Sequence, residues 1–137
     1  MNTTSKLVVF IYTERALKIG EKVYGPDHPK VAACVNNIGH ILQAKNDLDG
    51  ALKYTERALK IGEKVYGPDH PDVASSANNI GMILLAKGDL DGALKYAERA
   101  HKISLKAYWP DNSFTKTLAE NLDAIRNALK LRRQPDN

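Results

Sequence analysis

Apolar and small residues recur three and four positions apart along most of this chain, the spacing of amphipathic helices. Val31, Val35, Ile38 and Leu42 make one such stripe and predict a helix over about 31–45, VAACVNNIGHILQAK. A second helix is predicted over about 48–65, LDGALKYTERALKIGEKV, with Ala51, Leu52, Ala58, Leu59 and Ile61 on its packed faces. Between them Asn46 suits a left-handed C′ position, because Asn tolerates positive φ. Asp47 then stands where an N-cap is needed. Glu56 and Lys60 stand at i and i+4 in the favourable order, as do Glu14 with Lys18 and Glu98 with Lys102, and mark a solvated face.

The pattern repeats. Residues 13–54 lie over 55–96 without a gap. Seven positions differ: Lys30/Asp72, Ala33/Ser75, Cys34/Ser76, Val35/Ala77, His40/Met82, Gln43/Leu85 and Asn46/Gly88. The other 35 of 42 are identical. A period of this length signals stacked supersecondary units, each of which buries its apolar face only against its neighbours. The exchange of Asn46 for Gly88 conserves tolerance of positive φ, and Asp89 repeats the N-cap of Asp47.

The motif YGPDHP occurs at 24–29 and 66–71, with a worn copy, YWPDNS, at 108–113. Gly25 and Gly67 end a helix, and Pro26 and Pro68 stop its continuation. Pro29 and Pro71 fit the first turn of the next, where a missing N–H costs nothing. Asp27, His28, Asp69 and His70 lie in the connector and can offer capping groups. A metal site is the competing reading. Equivalent residues of stacked repeats lie about 10 Å apart or more, whereas zinc holds its nitrogens at about 2.1 Å. His28 and His70 are therefore not expected to share an ion.

The ends depart from the pattern. Residues 114–133 predict one amphipathic helix with a seam of Leu118, Leu122, Ile125 and Leu129, while Lys116, Glu120, Asp123, Arg126 and Lys130 face away. This reads as a solvating cap. Trp109, in the place of Gly67, is expected to pack over the end of the stack. At the other end, residues 7–24 match a second helix without a first, and LVVFI at 7–11 stands where later copies read DGALK. That enlarged apolar face calls for a cover: the first complete unit, another copy of the chain or an upstream repeat, and self-association through Leu7, Val8, Phe10 and Ile11 is the expectation. The expected organisation is a single domain over 1–137: a half repeat at 7–24, repeat units at 25–66 and 67–108, and a capping segment at 109–137.

Composition narrows the function classes. The 137 residues are 43% hydrophobic and 7% aromatic, with one cysteine, so a disulfide framework is not expected. Cys34 reads as a small packing residue, and a lone cysteine fits a reducing, cytoplasmic setting. The net charge of +4 is mild and interspersed, too little for a nucleic-acid stripe. No apolar run approaches membrane-spanning length, and MNTTSKLVVFIYTERA lacks the long core of a signal peptide. No nucleotide loop, metal cluster or carboxylate–His–nucleophile set is recognisable. The expectation is a non-enzyme without cofactor, metal, nucleic acid or membrane.

With Gly39 as the small residue of the first helix, Val35, Ile38, Leu42, Leu48, Ala51 and Ala58 resemble the small and large apolar positions of the tetratricopeptide repeat. Gly81 repeats the arrangement with Ala77, Ile80, Leu84, Leu90, Ala93 and Ala100. The 42-residue unit and the string ALKIGEKVYGPDHPDVA…NNIG are similar to kinesin light chain repeats over about residues 7–133. The resemblance implies an all-α, right-handed α-solenoid of about six helices whose first helices line a concave face. It places Ala33, Asn36, Asn37, His40, Gln43 and Ala44 on that face, with Ser75, Asn78, Asn79, Met82, Leu85 and Ala86 as their partners. In that family similar Asn residues line a cargo-peptide groove. Peptide binding is therefore expected at Asn36, Asn37, His40, Gln43, Asn78, Asn79, Met82 and Leu85. Helix-interior Asn is otherwise unfavourable, and its amide can hold an extended peptide or join neighbouring repeats. Both uses stay open. Three of the seven differences between copies, 33/75, 40/82 and 43/85, fall on this face, through selection for binding or through drift. The two functional expectations are an adaptor that binds a partner's peptide and a structural module that associates with itself or with neighbouring repeats, as a homo-oligomer or as a fragment of a longer array.

Overall fold

A computed structural model describes residues 3–134. Among them are six helices: α1 (Thr3–Tyr24), α2 (Pro29–Ala44), α3 (Leu48–Tyr66), α4 (Pro71–Lys87), α5 (Leu90–Ala107) and α6 (Ser113–Arg133). No strand occurs among the described residues. The chain forms two compact units, divided between Pro68 and Asp69.

The connectors follow from the sequence. His28 and His70 are the N-caps of α2 and α4: each Nδ1 accepts from the backbone N–H two residues on, at 3.1 Å. Proline occupies the first helical position behind each cap. Asn112 caps α6 in the same way, accepting from Phe114 N at 2.9 Å. Asp47 and Asp89 cap α3 and α5 through Gly50 N and Gly92 N, each at 3.0 Å. Asn46 has φ 62° and Gly88 φ 84°, so the exchange between copies conserves a left-handed turn. The repeated loop is punctuation, and its histidines do the capping. Its aspartates serve elsewhere: Asp27 pairs with Lys64, and Asp69 with Lys106 at 3.4 Å. Each pair ties the end of a second helix to the turn before its own first helix.

In the first unit α2 is packed between α1 and α3. Val31, Val35, Ile38 and Leu42 are buried, together with Ala51, Thr55, Ala58, Leu59 and Ile61 of α3. Gly39 sets the closest approach. A Cβ there would stand 2.8 Å from Thr55 Oγ1, which is itself bonded to the Ala51 carbonyl at 2.8 Å. In the second unit α5 is packed between α4 and α6. Gly81 plays the same part, with the Ala93 carbonyl 3.3 Å from where its Cβ would be. The seam of α6, Leu118, Leu122, Ile125 and Leu129, is buried as expected, with Thr115 added at its start.

Three details differ from the sequence expectation. Helix α1 begins at Thr3, four residues earlier than the repeat match. The first helices begin at proline, two residues earlier than the apolar stripe indicates. Trp109 does not pack over the end: it is 81% exposed. The chain leaves α5 through Tyr108 in an extended conformation, and the Tyr108 ring meets Phe114 edge-on at 6.1 Å. Tyr108 makes the contact that the position of Trp109 had promised.

Candidate protein-interaction surface

The solvent-facing side of α2 carries Ala33, Asn37, His40 and Ala44, all exposed, with Asn36 and Gln43 half-buried beside them. These positions follow from helical spacing. Val31, Val35, Ile38 and Leu42 turn inward, so residues two positions away turn out. Asn36 Nδ2 lies 3.4 Å from His40 Nε2, one helical turn on. The Asn36 Oδ1 is shielded from solvent and meets no donor.

On α4 the equivalent face carries Ser75, Asn78, Asn79, Met82 and Leu85, all half-buried, with Ala86 exposed. Here the first asparagine has a partner. Asn78 Oδ1 accepts from Asn121 Nδ2 at 3.1 Å, a bond between α4 and α6. Joining first helices is one of the two uses that the sequence left open, and Asn78 has it. Asn37 is exposed and has no such bond among the described residues. His40 and Met82, in equivalent positions, give the two faces different chemistry: a ring that donates and accepts, against a flexible thioether. Cys34 is half-buried beside the α2 stripe as a free thiol.

The residues proposed for self-association lie on α1. Leu7, Val8 and Ile11 are exposed. Phe10 is half-buried, with Lys45 Nζ 5.1 Å above its ring, so it belongs to the packing of α1 on the end of α2. Exposed on the same helix are Val9, Tyr12, Ile19 and Val23, none of them among the four residues expected to self-associate. Their signal was present: Ile19 and Val23 are identical to Ile61 and Val65 of the next copy.

No group of three or more metal-ligating side chains converges among the described residues. No described helix is long and apolar enough to cross a membrane.

Comparison with curated proteins finds no match. Solved structures do match. A TM-score of 0.73 and 22% identity relate the chain to BtubC (BKLC) from P. vanneervenii, over 98% of this chain and 61% of that one. A putative kinesin light chain from Podosopora anserina with nearly identical TPR-like repeats matches at TM-score 0.83 and 18% identity, over 91% of this chain and 59% of that one. The chain thus spans about three-fifths of the length of the structures it resembles, and at these identities the likeness is one of fold. The family model for the tetratricopeptide repeat matches residues 31–106, more than half of the chain, and a second model of the same description matches 12–30. This chain, with its paired helices, small residues at the helix crossings and capped turns, belongs to the tetratricopeptide repeat family.

Proposed function

We propose that this chain is an adaptor in which the exposed face of a first helix, α2 in the first unit and α4 in the second, takes up a peptide segment of a partner protein. Tetratricopeptide repeats generally mediate protein–protein interaction. The observation that carries the finer reading is the distribution of differences between the two copies. N-caps and crossing glycines are the same in both and the Asn46/Gly88 exchange keeps a positive φ, while 33/75, 40/82 and 43/85 differ on the outward side of the first helices. Asn37, Asn79, His40, Gln43, Met82 and Leu85 provide amide, imidazole and apolar contacts for an extended backbone and its side chains. The module works without cofactor, catalysis or nucleic acid, in the cytoplasm.

The test is capture of partners from host lysate by two baits at equal concentration. One is wild type. The other carries Asn37→Ala, His40→Ala, Asn79→Ala and Met82→Ala, which leave the Asn78–Asn121 bond intact. Circular dichroism verifies that both are folded. Partners held by wild type and lost from the variant are the expected result. Retention of the same partners by both overturns the reading.

A second reading rests on the exposed Leu7, Val8 and Ile11: association of the chain with itself through α1. Light scattering across protein concentration is its check, and a strictly monomeric mass removes it.

A further inference from the structure

The turns before α2, α4 and α6 end on the same hydrogen bond, made by different acceptors. His28 and His70 accept from the backbone N–H two residues on through Nδ1, at 3.1 Å in each. Asn112 accepts the equivalent bond through Oδ1 at 2.9 Å. An amide oxygen does not titrate. An imidazole Nδ1 accepts only while it carries no proton, and imidazole is the side chain whose charge ordinarily changes between about pH 8 and pH 5. Protonation turns Nδ1 from acceptor to donor. The backbone N–H of Lys30 then faces another donor, and a positive charge stands at the positive end of the helix. The unprotonated ring is the one that caps. Acid therefore favours the open first turn, and the cap's contribution is lost as pH falls.

The surroundings decide how much each cap loses. Beside each histidine, the aspartate of the turn is held by a lysine of the second helix that follows: Asp27 by Lys64 of α3, and Asp69 by Lys106 of α5. That neighbour is common to both caps. The difference lies at 30/72, one of the seven positions at which the copies differ. At α4 the position is Asp72, whose Oδ2 stands 4.0 Å from His70 Nδ1. A protonated His70 has this carboxylate to donate to, and Asp72 also places negative charge in the first turn. At α2 the position is Lys30, and the first turn holds no acidic residue. Lys30 Nζ donates to the Tyr24 hydroxyl at 3.0 Å and stands 4.6 Å from the centre of that ring. The same ring, from α1, is stacked on His28 at 4.6 Å. At that end of α1 Glu21 is taken by Arg57 of α3 at 3.3 Å.

We propose that His28 is a pH switch: its protonation releases the first turn of α2, an effect that Asp72 blunts at α4 and that Asn112 abolishes at α6. One motif thus gives three caps of graded response to acid. The grading does not rest on the reading of the outward faces of α2 and α4, because it concerns only the turn before each helix. It gives the 30/72 exchange a consequence of its own: a lysine beside His28 leaves the charged ring without compensation, and an aspartate beside His70 supplies it.

The test is amide hydrogen exchange of the whole chain by NMR at about pH 8 and about pH 5, corrected for the intrinsic pH dependence of exchange. Between the two, protection of the Lys30 amide is expected to fall about fivefold, the scale of a lost N-cap. The Asp72 amide is expected to lose less than about twofold, and the Phe114 amide to be unchanged. His28→Asn, which copies the acceptor of Asn112, is expected to keep position 30 protected at both pH values. Lys30→Asp is expected to cut the loss at position 30 to under about twofold, and Asp72→Lys to raise the loss at position 72 to about fivefold. Positions 30 and 72 are exposed, so these exchanges are compatible with folding. A loss at position 30 that persists in His28→Asn places the titration elsewhere and overturns the proposal. Equal losses at Lys30 and Asp72 in the wild type overturn it, as does no loss at Lys30.

Discussion

Helices α1 and α6 each pack mainly on one neighbour, α1 on α2 and α6 on α5. Their other faces are opposite in kind. On α6 the outward positions are Lys116, Glu120, Asp123, Arg126 and Lys130, all exposed, with Arg126 near Glu98 at 3.8 Å and Asp123 at 3.9 Å. On α1 Val8, Val9, Tyr12, Ile19 and Val23 are exposed beside Arg15, Lys18 and Lys22. In a solenoid each element is stabilised only by its neighbours, so the chemistry of a free face states what it is meant to meet. The face of α6 suits water. The face of α1 is apolar.

The largest test of this contrast compares buried and exposed isoleucines. Ile125→Ala, at the centre of the α6 seam and fully buried, is expected to cost about 2–5 kcal/mol in urea denaturation. Ile19→Ala removes the same atoms from an exposed site and is expected to cost under about 0.5 kcal/mol. Comparable losses would mean that α1 is covered by something in solution. Next come the helix crossings. Gly39→Ala must displace Thr55 Oγ1 from its bond to the Ala51 carbonyl, and is expected to cost about 1–3 kcal/mol in the same assay. No equivalent glycine crossing exists on the outward face of α6, where Asp123→Ala is expected to change stability by under about 0.5 kcal/mol. Caps follow. His28→Ala and Asn112→Ala each remove one acceptor from a helix N-terminus and are expected to cost about 1 kcal/mol. The smallest effect is the pair Lys64–Asp27, whose side chains are well exposed. Lys64→Ala is expected to lower the thermal midpoint only slightly, at low salt more than at high.

Much of this was legible in the sequence because it is local. The left-handed turn at Asn46 and Gly88, the caps at Asp47 and Asp89 and the proline at the start of α2 and α4 depend on residues within four positions of one another. The stripe of Val31, Val35, Ile38 and Leu42 needs only helical period. What was not legible spans the repeat. The bond from Asn121 to Asn78 joins residues 43 apart, and Arg57 meets Glu21 across 36 residues at 3.3 Å. Such pairs depend on the register in which helices stack, and sequence offers several partners of matching chemistry. The position of Trp109 was misjudged for a related reason. Its exposure follows from the backbone turn at Tyr108, where composition alone favours burial of the larger ring.

The contrast between the two faces is tested most directly by the fluorescence of an apolar dye added to the whole chain. The account predicts that Ile19→Lys lowers dye fluorescence and that Lys130→Ala leaves it unchanged. Dye fluorescence that Ile19→Lys leaves unchanged would contradict it.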